Sequence, residues 1–544
     1  MKSSSDNLRN SVLTVLFSVI LLSGTGISKA AEGDSLFTGI QIHTVNIRFS
    51  QPNYWDSLIY YYNQGLEQYM SATVIANGVT YANVGVRLKG NSSFTHPNNK
   101  KSFRLSFNEF VSGQRWNGLK GVHLNNCWND PTFIREKMHL DFCKNAGITA
   151  PRGNFVRLSV NDTLFAFYSL VEHVDKTFLN SRYGNNSGDF FKAVDGYGTS
   201  DDVYSDFRWL GTDTSLYPIH YELKSDLNAT TWSKLISFID TLNHTSLIPS
   251  YMTSRVDLSA YYKAVAADIL LGNMDSYVYS GRNFYFYYPT TTNKLEWIVW
   301  DAGLSFGGLP GGPSNIENLS LNYVVNDTAR PLFSKITGNS SLNNDYLMAF
   351  CNLFNSYFST TLLFPKIDSL ANAVRQYVNE DPRKMFSSTQ FENNLVSDIT
   401  VSGRRIPGLK SFVLLRRTSV QSQLNTLGIN CEQAVLSNEV SVPEDFYLSQ
   451  NYPNPFNPST RIDFTLFKPG AVSLTIYDYT GKEVVSLLNY EYRNSGNYSL
   501  EWNGKDGNGN PVSTGMYFYK FTSAGSVNKN DAVNSVTKKM ILLK

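Results

Sequence analysis

Hydrophobic and polar residues alternate in three short segments near the start of the chain. The segments 41–48 (QIHTVNIR), 84–88 and 102–107 each place apolar side chains at about every second position. A period of two is typical of a β-strand with one buried face. The region 36–110 is therefore predicted to consist mainly of strands and turns.

From Pro131 the apolar residues recur at helical spacing, which predicts a capped helix that ends near Gly147. Strands return at 154–174, with Asn161-Asp162 as a hairpin turn. The remaining predicted elements are a helical region at 229–272 with a core helix at 260–271, strands at 283–288 and 295–300, and a helical region at 330–428 whose last element is 404–424. This order predicts an α+β body of roughly 400 residues.

The composition changes near residue 440, where prolines become frequent among Asn and Ser. Short strands separated by Gly and Asn turns follow, a pattern typical of a small β-sandwich of about 100 residues. We therefore predict a body at 31–435, a linker at 436–445 and a sandwich at 446–544.

The chain has 544 residues, 47 Lys and Arg against 45 Asp and Glu, 42% hydrophobic residues and 17% charged residues. High hydrophobicity with little net charge excludes a mostly disordered chain. The absence of a basic excess argues against nucleic acid as a partner. The four cysteines and seven histidines follow no metal-ligand spacing, so we expect buried thiols with at most one disulfide.

The first thirty residues have the pattern of a secretory signal. Lys2 and Arg9 precede an apolar run at 12–22, and Ser28-Lys29-Ala30 offers a cleavage site after Ala30. A membrane anchor is the alternative, but the run is shorter than the ~20 residues that span a bilayer. We therefore expect export with cleavage and no transmembrane segment afterwards.

Two acids bracket the predicted strand pair at 283–300. Asp275 follows the core helix, Asn283 opens the first strand, and Asp301 ends the second strand. Because a hairpin returns its ends to one place, the three side chains can converge, and their oxygens suit Mg²⁺. One acid can instead serve as a base toward a hydroxyl group, as in kinases. The alternative is that both acids merely cap turns.

A second group of polar residues lies upstream. The strand that ends at Arg87-Leu88-Lys89 leads into Gly90-Asn91-Ser92-Ser93, and Lys100-Lys101 opens the next strand. Amides and hydroxyls in such a turn can bind phosphate, and a lysine can pair with it. Glu172, at the end of a later strand, can orient that lysine. An ordinary turn is the alternative, because Gly-Asn-Ser turns are common.

Together these motifs, in this order, resemble the CotH kinase family of spore-coat-type atypical protein kinases. The resemblance covers about residues 40 to 430 and includes Asn129-Asp130-Pro131 through Lys137. It implies a two-lobe kinase-like fold that binds ATP with Mg²⁺ or Mn²⁺ and phosphorylates Ser or Thr of a protein. The roles implied by matching position are Asp275 as catalytic acid/base, Asp301 and Asn283 as metal ligands, and Lys100, Lys101, Arg87, Asn91, Ser92 and Glu172 at the nucleotide.

Two positions depart from the family pattern. The family often has a second Asp two residues after the metal Asp, where this chain has Gly303, and its usual Arg-Gly-Asn-Ser is here Lys89-Gly90-Asn91-Ser92. The missing acid leaves open a weakly active or inactive surface-binding protein on the same scaffold. A glycan-active enzyme with Asp275 and Asp301 as an acid pair is a further alternative, which requires carboxyl groups about 5–10 Å apart.

The C-terminal segment resembles the type A sorting domain of the bacterial type IX secretion system. The matching residues are the segment 448–460 (LSQNYPNPFNPST), Trp502-Asn503-Gly504, the strand 515–519 and Lys538-Lys539-Met540. The resemblance implies passage through the periplasm, recognition by the type IX machinery, and a secreted or cell-surface location. The whole sequence thus predicts an exported Ser/Thr protein kinase.

Overall fold

The computed structural model describes residues 31–194, 204–326, 328–429, 446–448, 451, 453–466, 469–524 and 533–543. The predicted signal peptide (1–30) and the predicted linker (436–445) lie outside these residues. The described residues from Glu32 onward belong to one compact unit.

Seven strands form a closed barrel in the order β1-β2-β3-β4-β5-β7-β6. They are β1 (Ile42–Arg48), β2 (Met70–Ala76), β3 (Val79–Lys89), β4 (Ser102–Ser106), β5 (Gly121–Asn125), β6 (Gly153–Val160) and β7 (Thr163–Glu172). Strands β1 and β6 pair in parallel and close the barrel, while the other neighbours are antiparallel. The alternating apolar residues Val45, Ile47, Val86 and Leu88 point into one buried core, as the pattern predicts.

Five helices accompany the barrel in the described residues, and two of them carry side chains of the candidate site. They are α1 (Asp34–Phe37), α2 (Tyr54–Asn63), α3 (Ser92–Thr95), α4 (Arg135–Asn145) and α5 (Lys176–Tyr183). Helix α4 is almost entirely buried and packs against β6. Glu136 of this helix lines the same pocket as the segment after β5 and the last residue of β3.

A helical region with a second sheet follows the barrel. The sheet has the order β11-β10-β8-β9 and consists of β8 (Asp189–Ala193), β9 (Tyr221–Leu223), β10 (Phe284–Tyr288) and β11 (Glu296–Val299). The helices are α6 (Thr231–His244), α7 (Ile248–Arg255), α8 (Leu258–Leu270), α9 (Pro331–Thr337), α10 (Ser340–Tyr357), α11 (Thr360–Glu380), α12 (Ser388–Val396) and α13 (Leu409–Thr426), with a hairpin of β12 (Ile399–Val401) and β13 (Arg404–Ile406) before α13. Helix α8 is apolar on most faces because it lies in the middle of this core.

The C-terminal segment forms two sheets over one core. One sheet contains β14 (Phe446–Leu448), β15 (Thr460–Leu466) and β18 (Gly496–Trp502), and the other contains β16 (Gly470–Asp478), β17 (Glu483–Arg493), β19 (Gly515–Ala524) and β20 (Val533–Leu542). Ile462 and Trp502 of the first sheet share a buried cluster with Leu474 and Phe521 of the second. The described residues are thus a mixed α+β protein with C-terminal β-strands.

Several predicted elements are confirmed and others are wrong. The hairpin turn Asn161-Asp162 forms with φ of 47° and 66°, which Asn and Asp tolerate. Helix α4 begins at Arg135 rather than at Pro131. The Asp130 carboxylate accepts hydrogen bonds from the main-chain amides of Thr132 and Arg135, and these bonds hold the intervening residues in a turn. The predicted helix from Arg404 is wrong at its start, where β13 pairs with β12 before α13 begins at Leu409. Helix α2 also replaces part of the predicted strand region.

The three cysteines that the structure describes agree with the expectation of at most one disulfide bond. Cys351 is disulfide-bonded, whereas Cys127 and Cys143 are free thiols. Cys431 lies outside the described residues. Among the described residues, no helix combines the length and the apolar character needed to cross a bilayer.

Candidate active site

One pocket collects polar side chains from the barrel, from helix α4 and from the segments that flank the second sheet. The barrel contributes the ends of β3 and β5, and the second sheet contributes the residues before β10 and after β11. The lining consists of Lys89, Gly90–Ser93, Ser102, Asn125–Trp128, Asp130, Glu136, Ser169, Asp275, Asn283, Asp301, Gly303 and Leu304. Three of the acids that the sequence places far apart, Glu136, Asp275 and Asp301, therefore face one space.

Asp275 and Asn283 are held together at the start of β10. The side-chain amide of Asn283 donates from Nδ2 to the main-chain oxygen of Asp275 at 2.8 Å and to its carboxylate Oδ2 at 3.0 Å. Asn283 has a φ of 60°, a left-handed conformation that Asn adopts more readily than most residues. Arg282 Nε lies 3.9 Å from Asp275 Oδ1. The predicted convergence of the catalytic acid and the asparagine is thus present.

Asp301 enters the pocket just after β11, where the chain leaves the buried strand. Its φ of 53° turns the backbone sharply and brings the following Gly303 into the pocket lining. A Cβ atom built at Gly303 would have one neighbour within 4 Å, Asp301 Oδ1 at 3.9 Å. The position where the family often carries a second acid is therefore open space beside the first acid.

Lys89, at the end of β3, is the lysine that lines the pocket among the described residues. Its Nζ donates to Asn125 Oδ1 at 2.8 Å, and Asn125 Nδ2 donates to Glu136 Oε1 at 2.8 Å. The same ammonium lies 5.6 Å from the centre of the Trp300 ring. Asn125 thus links the lysine of the barrel to the glutamate of helix α4.

Burial changes the titration of both ends of this link. Burial and, to a smaller extent, the nearby Asp301 carboxylate raise the pKa of Glu136 to about 8, while Lys89 opposes the rise. Burial also lowers the pKa of Lys89, and the charges of Asp301 and Glu136 partly restore it. Two groups whose pKa values move toward each other in a cleft are typical of a functional site rather than of an exposed ion pair.

The predicted phosphate turn lies at the pocket, but Arg87 does not. Asn91 and Ser92 line the pocket together with Gly90 and Ser93. Gly90 has a φ of 100°, and a Cβ atom there would lie 2.3 Å from Ser93 Oγ, so the tight turn requires glycine. Arg87 instead pairs with Glu67 at 3.0 Å on the barrel surface.

The two lysines expected at the nucleotide are used elsewhere. Lys100 is fully buried, and its Nζ donates to Asp381 Oδ2 at 2.8 Å. Lys101 Nζ donates to the main-chain oxygens of Phe94 and His96 at 2.5 Å each. Neither lysine lines the pocket. The structure therefore places both in the framework beneath the phosphate turn, because the register of β3 and β4 sets Lys89 opposite Ser102 and at the rim.

Glu172 also lies outside the pocket lining. Its carboxylate accepts from Arg152 Nε at 2.9 Å and from Arg182 Nη2 at 2.9 Å, so it joins the end of β7 to helix α5. Its expected partner was a lysine of the phosphate site. The glutamate that is linked to the pocket lysine is Glu136, which lies in the family-matching segment 129–137 but is assigned no role from the sequence.

Two family profiles match parts of the chain. Residues 86–420 match the profile of the family described as CotH kinase protein, and residues 458–526 match the profile of the FlgD Ig-like domain. The chain is 26% identical over 295 residues to the inner spore coat protein H of Bacillus subtilis (strain 168). The aligned region covers 54% of this chain and 77% of that protein.

Solved structures give weaker likenesses. The proinflammatory kinase CtkA of Helicobacter pylori is 13% identical, with 63% of this chain and 96% of that chain covered and a TM-score of 0.28. Latent PorU of Porphyromonas gingivalis is 25% identical over 18% of this chain and 9% of that chain, with a TM-score of 0.16. Since the family profile spans more than half of the sequence, this kinase-like chain belongs to the CotH kinase protein family.

Proposed function

We propose that the chain is a protein kinase that transfers the γ-phosphoryl group of ATP to Ser or Thr hydroxyls of an exported protein. The observation that carries this proposal is the meeting of Asp275, Asn283 and Asp301 with Lys89 and Glu136 in one pocket. The two-lobe layout of a kinase is part of the proposal: the barrel would be the small lobe and the helical region the large lobe. Membership in a kinase family supports a protein as the acceptor.

The donor set of the pocket fits a nucleotide with a divalent ion. Asp301 and the amide oxygen of Asn283 are hard oxygen donors, and Mg²⁺ typically takes one or two carboxylates together with phosphate oxygens. These two residues would hold Mg²⁺ or Mn²⁺, which would neutralise charge on the phosphates. The amides and hydroxyls of Asn91 and Ser92 and the ammonium of Lys89 would bind the phosphate oxygens.

The chain's own residues would then assist a single displacement. Asp275 accepts the proton of the acceptor hydroxyl while the hydroxyl oxygen forms a bond to the γ-phosphorus of ATP. The bond between the γ-phosphorus and the oxygen that bridges it to the β-phosphorus breaks, and ADP leaves. The hydrogen bonds from Asn283 fix the carboxylate of Asp275 in orientation. Asn125 and Glu136 fix Lys89 at the phosphates. Catalysis of this kind depends mainly on position and charge.

The experiment is phosphate transfer by the purified chain from γ-labelled ATP to a Ser-rich acceptor with Mg²⁺ or Mn²⁺. We expect transfer by the wild type and its loss in Asp275→Asn. Asp226→Asn is the matched control, because Asp226 is an exposed acid that pairs with Lys176. Absence of transfer by the wild type, or equal transfer by Asp275→Asn, would overturn the proposal.

A second candidate is a surface-binding protein on the same scaffold with little or no turnover. The open space at Gly303 favours it, since one acid of the usual family pattern is missing beside Asp301. Calorimetry with Mg-ATP separates the candidates. Saturable binding that is lost in Asp301→Ala supports the kinase, whereas no binding supports the binding protein.

Export through the type IX secretion machinery is a further part of the proposal. It is supported by the sequence signature of the C-terminal segment. Within that signature Asn451 Nδ2 donates to the Pro453 oxygen and to Thr460 Oγ1, and Thr460, the first residue of β15, donates to the same oxygen. A secreted or cell-surface location after passage through the periplasm follows from it. Deleting residues 446–544 should leave the protein in the periplasm of a host that has this machinery, and unchanged export of the deletion would contradict the proposal.

A further inference from the structure

Helix α4 is bonded to the segment that follows Asp301 through side chains other than Glu136. We infer that Arg135 is a positioning residue that fixes helix α4 against this segment, so that Glu136 is in place without any activating event. The inference rests on the proposed phosphotransfer. It concerns regulation: the pocket is assembled in the free protein, and no segment has to move to complete it.

Arg135 is fully buried and bonds to three separate segments. Nη1 donates to the main-chain oxygens of Ser305 at 3.0 Å and Phe306 at 2.8 Å, in the segment after Asp301. Nη2 donates to Asn394 Oδ1 at 2.8 Å and to the Pro407 oxygen at 2.6 Å. Nε lies 3.3 Å from Asp130 Oδ1. The planar guanidinium therefore joins the start of α4 to the helical region in several directions at once.

His139 forms a second connection from the same face of α4, one turn along the helix. Its Nδ1 lies 2.8 Å from Ser305 Oγ, and its Nε2 lies 3.6 Å from Asp268 Oδ1. Asp268 in turn accepts from Asn273 Nδ2 at 2.8 Å, two residues before Asp275. Burial lowers the pKa of His139 to about 3, so the ring is neutral and serves as a hydrogen-bonding group. Helix α4 is thus hydrogen-bonded to the segment after Asp301, and through His139 it lies close to Asp268, which bonds to the segment before Asp275.

The two acid segments are also bonded to each other beneath the pocket. The Phe306 amide donates to the Leu271 oxygen at 2.6 Å, and the Gly307 amide donates to the Gly272 oxygen at 3.2 Å. In protein kinases the lysine–glutamate contact depends on the position of the helix that carries the glutamate, and that position is a point of control. In this protein a shift of α4 would leave the buried guanidinium of Arg135 and its acceptors without hydrogen-bond partners. The loss of buried hydrogen bonds to a charged group is strongly unfavourable.

The direct test compares hydrogen exchange in the nucleotide-free full chain. We expect the amides of α4 and of the segment 302–306 to be as protected as those of α8, and to gain little protection when Mg-ATP is added. Arg135→Lys keeps the charge but loses the fork of donors, and should speed exchange in both segments. Rapid exchange of α4 in the free wild type that slows with Mg-ATP would overturn the inference. This measurement needs no turnover, so its failure is distinct from a failure of the kinase proposal.

Kinetics then test whether Arg135 acts through Glu136. We expect Arg135→Lys to lower kcat by about 10- to 100-fold with a smaller change in KM, as expected when catalytic groups are displaced rather than removed. In a Glu136→Gln background the same substitution should lower kcat by less than about threefold, because the two residues act as one unit. An equal loss in both backgrounds would show a merely structural role and overturn the inference.

Arg416→Lys is the matched control for these kinetics. Arg416 is also fully buried, and its guanidinium donates to the main-chain oxygens of Glu317, Leu319 and Ile269 rather than to partners of α4. Its kcat per folded molecule should stay near the wild-type value, with the folded fraction measured by circular dichroism. If Arg135→Lys does not fold, Asn394→Ala removes one acceptor of Arg135 and should give the same pattern in milder form. No loss in a folded Asn394→Ala variant would then count against the inference.

Discussion

Substitution of two lysines distinguishes the pocket seen in the structure from the one expected from the sequence. Lys89 lines the pocket, whereas Lys100 is fully buried with Asp381, which also accepts the Phe167 amide at 3.1 Å. Lys100→Met leaves the Asp381 carboxylate buried without its cation, and breaking such a pair costs about 3–5 kcal/mol of unfolding free energy. Lys89→Met keeps the volume and should cost less than about 1.5 kcal/mol.

Activity should respond in the opposite order. Removal of one preorganised charge at a transferring phosphoryl group typically lowers kcat by about 10²–10³-fold, and we expect that loss in Lys89→Met. Folded Lys100→Met should retain kcat within about threefold, since Lys100 contacts the framework and not the pocket. Urea unfolding followed by tryptophan fluorescence gives the stabilities, and initial rates of phosphate transfer give kcat.

The double variant Lys100→Met/Asp381→Asn provides the control for the stability arm. Because it removes both charges, it should be more stable than Lys100→Met alone. The reasoning is refuted if Lys100→Met abolishes transfer while the protein stays folded, or if Lys89→Met transfers phosphate at the wild-type rate. Either result would return the nucleotide contact to the lysine that the sequence pattern favours.

Three further predictions follow from the same contacts. Since the pKa of Glu136 is raised to about 8, its carboxylate is a minor form at pH 7 and the major form at pH 9. We therefore expect kcat/KM to rise about tenfold between these pH values, and Glu136→Gln to remove the rise. The raised pKa also means that ionisation of Glu136 opposes folding increasingly from about pH 5 to pH 8, so urea unfolding should find Glu136→Gln relatively more stable at the higher pH. The side chain of Gly303→Asp fits the open space beside Asp301. In chelator this variant should unfold at a lower temperature than the wild type, and Mg²⁺ should raise its unfolding temperature by more than it raises that of the wild type. An equal rise in both proteins would contradict this prediction. The Tyr447 ring packs edge-on against Phe364, with 4.7 Å between ring centres, and Lys410 Nζ lies 3.6 Å from the centre of the Tyr447 ring. Tyr447→Ala should therefore lower the free energy of unfolding in urea by about 3–5 kcal/mol and leave kcat unchanged. A loss below about 1 kcal/mol would show that this contact contributes little.

The parts of the fold that depend on near neighbours follow from the sequence. The turn Asn161-Asp162 forms between β6 and β7 because both residues accept positive φ, and α8 is recognisable because its apolar residues cover most faces. The closure of the barrel is different, since it depends on the parallel pairing of β1 with β6, more than 100 residues apart. Nothing in the local sequence of either strand indicates which strand it pairs with.

The candidate site divides in the same way. Asp275, Asn283 and Asp301 flank one strand pair, so their approach follows from the hairpin geometry alone. The choice of lysine does not, because Lys89, Lys100 and Lys101 all lie near one turn and only the register of β3 against β4 decides which of them reaches the rim. Glu136 needs the placement of helix α4, which depends on Arg135 and on segments more than 160 residues away. The sequence signal available for Glu136 is its place beside Arg135 in the segment 129–137 that resembles the family.

In the proposed active site, Asp301 and Asn283 hold the metal ion and Lys89 binds the nucleotide phosphates. A crystal structure of the full chain with Mg²⁺ and a non-hydrolysable ATP analogue tests this arrangement most directly. We predict a metal ion within bonding distance of oxygens of Asp301 and Asn283, phosphate oxygens at the ammonium of Lys89, and Asp275 facing the γ-phosphate. A nucleotide bound elsewhere, or bound in the pocket with its phosphates away from Lys89 and Asp301, would contradict the account.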